Sequence, residues 1–179
     1  MPHITVDSSV VGIRGLFQFR PETAAPMLRL AQALLHGESP LTKGERELIA
    51  TFVSHGNRCV FCTMSHAAAA RHHWGEQASI VDDVVYNGVY DGLSPKMKAL
   101  LPIAEKVRKG GRIVTDDDIA TARAMGAVDR DIHDTVLIAA AFSMFNRYVD
   151  GLGAITPTDP ADYVEMGRRM AVEGYVREA

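Results

Sequence analysis

Apolar positions recur along most of the chain at intervals of three and four residues, and they predict helix after helix. A helix is expected after Arg20-Pro21-Glu22, closing at Leu34, Leu35 and His36 before Gly37, because proline suits a first turn. Thr42-Lys43-Gly44-Glu45 reads as a capping box opening a helix through Leu48, Phe52 and His55. Gly56-Asn57 breaks the chain, and a new helix begins near Cys59. Its run Ala67 to Ala70 favours helix strongly, and Gly75 ends it. Further helices are predicted from about Ala78 to Tyr90, from Ser94-Pro95 to Val107, from Thr115 through Ala124, from Asp129 through Val149, and from Asp159 to Val176. Residues 1–20 read as an extended arm broken at Gly12 and Gly15. Its apolar side chains (Val10, Val11, Ile13, Leu16, Phe17) suggest docking, with a neighbouring subunit as one surface. Convincing strand alternation is absent outside that arm, so the class is all-α in a single domain, 1–179.

Glu47 followed by Cys59 has a faint echo in Asp134 followed by Asn146, the same distance apart. A degenerate second repeat over about 129–153, matching a helix-turn-helix over about 42–74, is one reading. Chance matching between helical segments is the other.

Composition narrows the classes. The chain has 179 residues, 47% hydrophobic and 23% charged, with a net charge of −3. That suffices for one sizeable core. The charge is too small and mixed for nucleic-acid binding, and no basic stripe is present. The longest apolar run, Val136 to Phe142, falls far short of the roughly 18 residues a bilayer span needs. The first residues lack a basic stretch followed by an apolar one, so a cytoplasmic, reducing location is expected.

In that setting the two cysteines, both in Cys59-Val60-Phe61-Cys62-Thr63-Met64-Ser65-His66, carry the candidate chemistry. On a helix, Cys59, Cys62 and His66 share one face. Unpaired N–H groups of a first turn favour a thiolate there, and His66 can accept or relay a proton. A redox pair is the leading reading of the C-x-x-C. A zinc site would have three ligands and no paired motif to supply a fourth, and an inert buried pair is the remaining alternative. Glu47 would ordinarily be a solvated helix-surface carboxylate, but the Gly56-Asn57 break lets its helix fold back toward the thiols. A carboxylate raises a thiol pKa, so its use there would be as base or proton relay. His72 and His73 read as surface or interface residues, Met64, Met144 and Phe145 as core, Trp74 as packing at a helix end, and Asp116-Asp117-Asp118 as an acidic first turn.

Glu47, Cys59, Cys62 and His66 together resemble the E-x11-C-x-x-C-x-x-x-H signature of the alkylhydroperoxidase AhpD-like, carboxymuconolactone decarboxylase-like proteins. Phe145-Asn146-Arg147-Tyr148-Val149-Asp150-Gly151-Leu152-Gly153 and the chain length resemble the peroxidase-related branch. The resemblance implies an all-α fold assembled as trimers or hexamers, and an antioxidant thiol peroxidase that needs no cofactor or metal. It also implies that Cys62 attacks a hydroperoxide, Cys59 resolves the sulfenic acid as a redox-active disulfide, and Glu47 and His66 relay protons. A separate thiol or disulfide reductant would be the partner. One departure is Phe61, where better-known members carry a second histidine. A general disulfide oxidoreductase and a non-catalytic or redox-sensing helical oligomer are the alternatives; a lactone decarboxylase fits less well, since those relatives do not need the cysteine pair.

Overall fold

The computed structural model describes residues 1–176. Among them there are nine helices and no strands. They are α1 (Ile13–Phe19), α2 (Pro21–His36), α3 (Lys43–Gly56), α4 (Val60–Trp74), α5 (Ser79–Asp82), α6 (Pro95–Lys109), α7 (Asp116–Ala124), α8 (Asp129–Gly151) and α9 (Ala161–Glu173). The all-α class read from the sequence holds. None of these helices is long and apolar enough to cross a membrane.

Local chemistry explains most boundaries. The Thr42 hydroxyl accepts from the Glu45 amide at 3.1 Å, and the Glu45 carboxylate accepts from the Thr42 amide at 2.8 Å, so two orphan donors of α3 are satisfied reciprocally. Thr115 and Asp118 repeat that box on α7, and the Ser94 hydroxyl caps α6 at Met97 N. The acidic run Asp116-Asp117-Asp118 is the first turn of α7, as expected.

Three segments differ from the reading. The arm is helical from Ile13: Leu16 is buried, and Gly15 sits where a Cβ would come 3.0 Å from the Val10 carbonyl. It docks on its own chain, since Val11 and Ile13 pack against the cluster around the two cysteines. The helix expected over Ala78 to Tyr90 is only α5 followed by a π-turn over Asp83–Asn87, which Gly88 ends at φ 66°. The last helix stops at Glu173 because Gly174 takes φ 76°.

The core divides in two. The main cluster centres on Leu48, Ile49 and Val53 of α3, Leu100, Leu101 and Ile103 of α6, and Ile138 and Phe142 of α8. The smaller one joins Cys59, Phe61 and Cys62 to Val149 of α8 and Tyr163 of α9. Between them runs α4, covered on most sides by α3 and α9. That position explains its lack of a polar face: Phe61, Cys62, Thr63, Ser65, His66, Ala67, Ala69 and Ala70 are all buried. The contact with α9 is tight, because a Cβ on Gly167 would lie 2.4 Å from the Ala68 Cβ.

Candidate active site

The turn from α3 into α4 sets the spacing of the candidate residues. At the end of α3, Asn57 N donates to Val53 O, Arg58 N to His55 O and Cys59 N to Ser54 O, reversing the chain within three residues. The left-handed residue of this turn is Arg58, at φ 63°, although glycine usually fills such a place. Gly56 is the last residue of α3, where a Cβ would come 2.5 Å from the Arg108 side chain, and Arg108 donates to the Gly56 carbonyl. Cys59 becomes the N-cap of α4 and Cys62 its third residue.

All four sequence candidates are buried: Glu47 and Cys59 are 0% exposed, Cys62 4% and His66 9%. Glu47 is therefore not the solvated surface carboxylate that is usual on a helix. Its Oε2 lies 2.8 Å from His66 Nδ1. Cys59 and Cys62 are free thiols that approach to 3.2 Å. The cysteine pair belongs to the smaller core cluster, and the Glu47–His66 pair lies on the side of α4 facing α8, where the His66 ring meets Phe142 edge-on at 4.6 Å.

The expectation that the first turn favours both thiolates fails for Cys59. Its hydrogen bond to Cys62 and its burial push its pKa well above the usual cysteine range. Asp150, at the end of α8, acts in the same direction. Cys59 is thus a thiol held protonated. Tyr163 feels the same surroundings: burial, then Asp162 and the cysteines, push its pKa up to about 12. Its hydroxyl donates to the Pro157 carbonyl at 2.9 Å.

Phe61 is 5% exposed, packs toward Tyr163, and fills the space over Gly12, whose Cβ would fall 1.9 Å from the ring. It makes the cover of the thiols apolar. Met64, Ala68 and Tyr163 separate this cluster from a groove of about 480 Å³ between α4, the π-turn and the start of α9, with Arg71, Tyr86 and Val164 on its other walls.

One residue that contacts the pair was missed in the sequence. The Tyr175 hydroxyl donates to Glu47 Oε1 at 2.5 Å, and its ring stacks on His66 with an interplanar angle of 13°. It lies 128 positions from Glu47, beyond the last helix, and no local spacing announces it. His36 and His73 flank this group with buried Nε2 atoms that have no hydrogen-bond partner among the described residues. Burial lowers the pKa of both. His73 is thus half-buried where a surface role was expected; His72 is exposed as expected. Phe145 is core as read, while Met144 is exposed and Met64 lines the groove. No group of three or more His, Cys, Asp or Glu among the described residues could hold a metal ion.

In the echo segment, Asp134 and Asn146 do other work. Asp134 accepts from Ser39 and Arg130, and Asn146 bridges Ser54 and Asn57. Here α8 runs unbroken where α3 and α4 are separated by a turn.

The pattern of the carboxymuconolactone decarboxylase family matches residues 21–106, which include Glu47, Cys59, Cys62 and His66. Over this stretch, just under half of its length, the chain is similar to that family. Two solved structures share the fold over most of both chains. A peroxidase-related protein from Silicibacter sp. TM1040 is 28% identical, covers 87% of this chain and 80% of its own, and superposes with a TM-score of 0.76. An uncharacterized peroxidase-related protein with an alkylhydroperoxidase AhpD core, from Ralstonia eutropha JMP134, is 29% identical, covers 89% and 82%, and gives 0.77. A protein of unknown function from Agrobacterium tumefaciens, described as a putative antioxidant defence protein AhpD, shares the fold at 20% identity and a TM-score of 0.67, over 89% of this chain and all of that one. The comparison with curated proteins gave no match.

Proposed function

We propose that the protein is a thiol-dependent peroxidase acting on organic hydroperoxides. The observation that carries this reading is the buried Glu47–His66 pair one helical turn from Cys62, together with a second thiol 3.2 Å from the first. The Cys62 thiolate attacks the terminal peroxide oxygen; the O–O bond breaks, Cys62 becomes a sulfenic acid, and the alkoxide leaves as an alcohol after taking a proton. Glu47 and His66 accept the Cys62 proton and return it to the leaving oxygen. Cys59, which retains its proton at neutral pH, then condenses with the sulfenic acid, forming the disulfide and releasing water. A dithiol reductant reopens the disulfide by exchange and is itself oxidised. The names of the two peroxidase-related neighbours support this chemistry. The apolar groove behind Met64 and Tyr163 favours an organic over an inorganic peroxide.

The test is a stoichiometric pulse of cumene hydroperoxide on the reduced protein, followed by mass spectrometry. A Cys59–Cys62 disulfide is expected from the unchanged chain, a stable Cys62 sulfenic acid from Cys59→Ser, and no consumption from Cys62→Ser. Unchanged consumption by Cys62→Ser would overturn the role of that thiol. A second reading, a general disulfide oxidoreductase, is favoured by Phe61, which places an apolar surface beside the thiols. Faster turnover of a small disulfide than of cumene hydroperoxide would establish it instead.

A further inference from the structure

We infer that Tyr175 is a positioning residue that fixes which nitrogen of His66 is the base. This rests on the proton-relay reading of Glu47 and His66 and adds to it a residue outside the span matched by the family pattern.

The geometry is over-determined. The segment after α9 turns at Gly174, where a Cβ would come 2.5 Å from Gln32 Oε1, and the Tyr175 amide donates to that same oxygen at 2.7 Å. Gln32 of α2 therefore pins the backbone, and the Tyr175 ring enters between His36, edge-on at 5.6 Å, and His66, stacked at 6.0 Å. Its hydroxyl ends 2.5 Å from Glu47 Oε1 and 3.3 Å from His66 Nδ1.

An ionised carboxylate only accepts hydrogen bonds. Burial and the neighbouring Glu47 hold the Tyr175 hydroxyl protonated, so it acts as a donor. With Oε1 occupied by that donor, Oε2 accepts from His66, and the imidazole proton lies on Nδ1. The lone pair is then on Nε2, the nitrogen left to take a proton from the relay. The same hydrogen bond draws charge from Glu47, the carboxylate that backs the base in the proposed relay.

Tyr175→Phe keeps the ring and removes the hydroxyl. Without its donor, the buried carboxylate carries more charge beside His66, the base that the relay reading sets to take the Cys62 proton. The acid limb of Cys62 alkylation by iodoacetamide, measured in a Cys59→Ser background, should move to higher pH by about one unit, the size expected for one hydrogen bond to a charged group. Gln32→Ala, which frees the backbone of Tyr175, should shift the limb in the same direction by less, and it carries the test if Tyr175→Phe does not fold. Imidazole ¹⁵N shifts of the unsubstituted protein should place the neutral His66 proton on Nδ1. A proton on Nε2, or an acid limb unmoved in the folded variants, overturns the inference. A shifted limb in a protein that consumes no hydroperoxide overturns the peroxidase reading alone.

Discussion

Replacing Glu47 by glutamine separates the two roles of this carboxylate. Glu47 is fully buried and accepts two hydrogen bonds, from Tyr175 at Oε1 and His66 at Oε2. Glutamine has nearly the same shape and can keep both contacts. Its carbonyl oxygen accepts from Tyr175, and its amide donates to His66 Nδ1. That arrangement requires the imidazole to move its proton to Nε2, so the relay loses its base while the packing survives. Two charge-assisted hydrogen bonds become neutral ones, a loss of about 1 kcal/mol each. Removing a buried charge recovers part of that. The net cost should be about 1–2 kcal/mol, a melting-temperature decrease of roughly 2–8 °C for a chain of this size. The rate of Cys62 oxidation should fall about 10²-fold or more, the usual contribution of a positioned acid–base group. Stopped-flow single-turnover reduction of cumene hydroperoxide and thermal unfolding of the same preparations measure both. A rate within about threefold of the unsubstituted protein, in a folded variant, would refute the relay.

Two further outcomes concern the frame around the site. Gly167→Ala places a methyl 2.4 Å from Ala68 Cβ and 2.6 Å from its backbone, so α9 must move away from α4; a loss of about 1–3 kcal/mol is expected in chemical denaturation, with faster alkylation of the cysteines as the apolar cover loosens. An unchanged denaturation midpoint would show that the helices accommodate the methyl freely. His36 and His73 have pKa values lowered by burial, so the unfolded chain binds more protons than the folded one just below their ordinary value of 6.5. Stability should therefore be full above pH 6.5 and decline as pH falls below it, well above the carboxylate range. The decline should shrink in a His36→Gln, His73→Gln double variant, and a pH-independent midpoint between pH 7.5 and 5.5 would contradict it.

How much was legible varied with distance along the chain. The Thr42 box, the reversal after α3, the nearness of Cys59 to Cys62 and the folding back of Glu47 onto α4 follow from local spacings, and they were readable as sequence. The helical α1 was hidden because its glycines resemble breaks; the packing of Leu16 and the closeness of Gly12 to Phe61 are tertiary facts. Tyr175 was hidden for a similar reason. A single tyrosine after a helix-ending glycine has no periodicity, and its partners lie on α2, α3 and α4. The burial of Glu47 and the raised pKa of Cys59 depend on what covers α4, which no local pattern encodes.

Asn146 has a consequence of another kind. Its amide donates to Ser54 Oγ at 3.0 Å and its carbonyl oxygen accepts from Asn57 at 2.8 Å, so α8 grips the last turn of α3 and the reversal that follows. The path of the chain from Glu47 to Cys59 is thus braced by a strut from a helix outside the C-x-x-C segment. A lineage that exchanged Asn146, Ser54 or Asn57 would alter the reactivity of the sulfurs while every reacting atom stayed the same. Drift among relatives that share the four signature residues can therefore change reaction rates through this buttress.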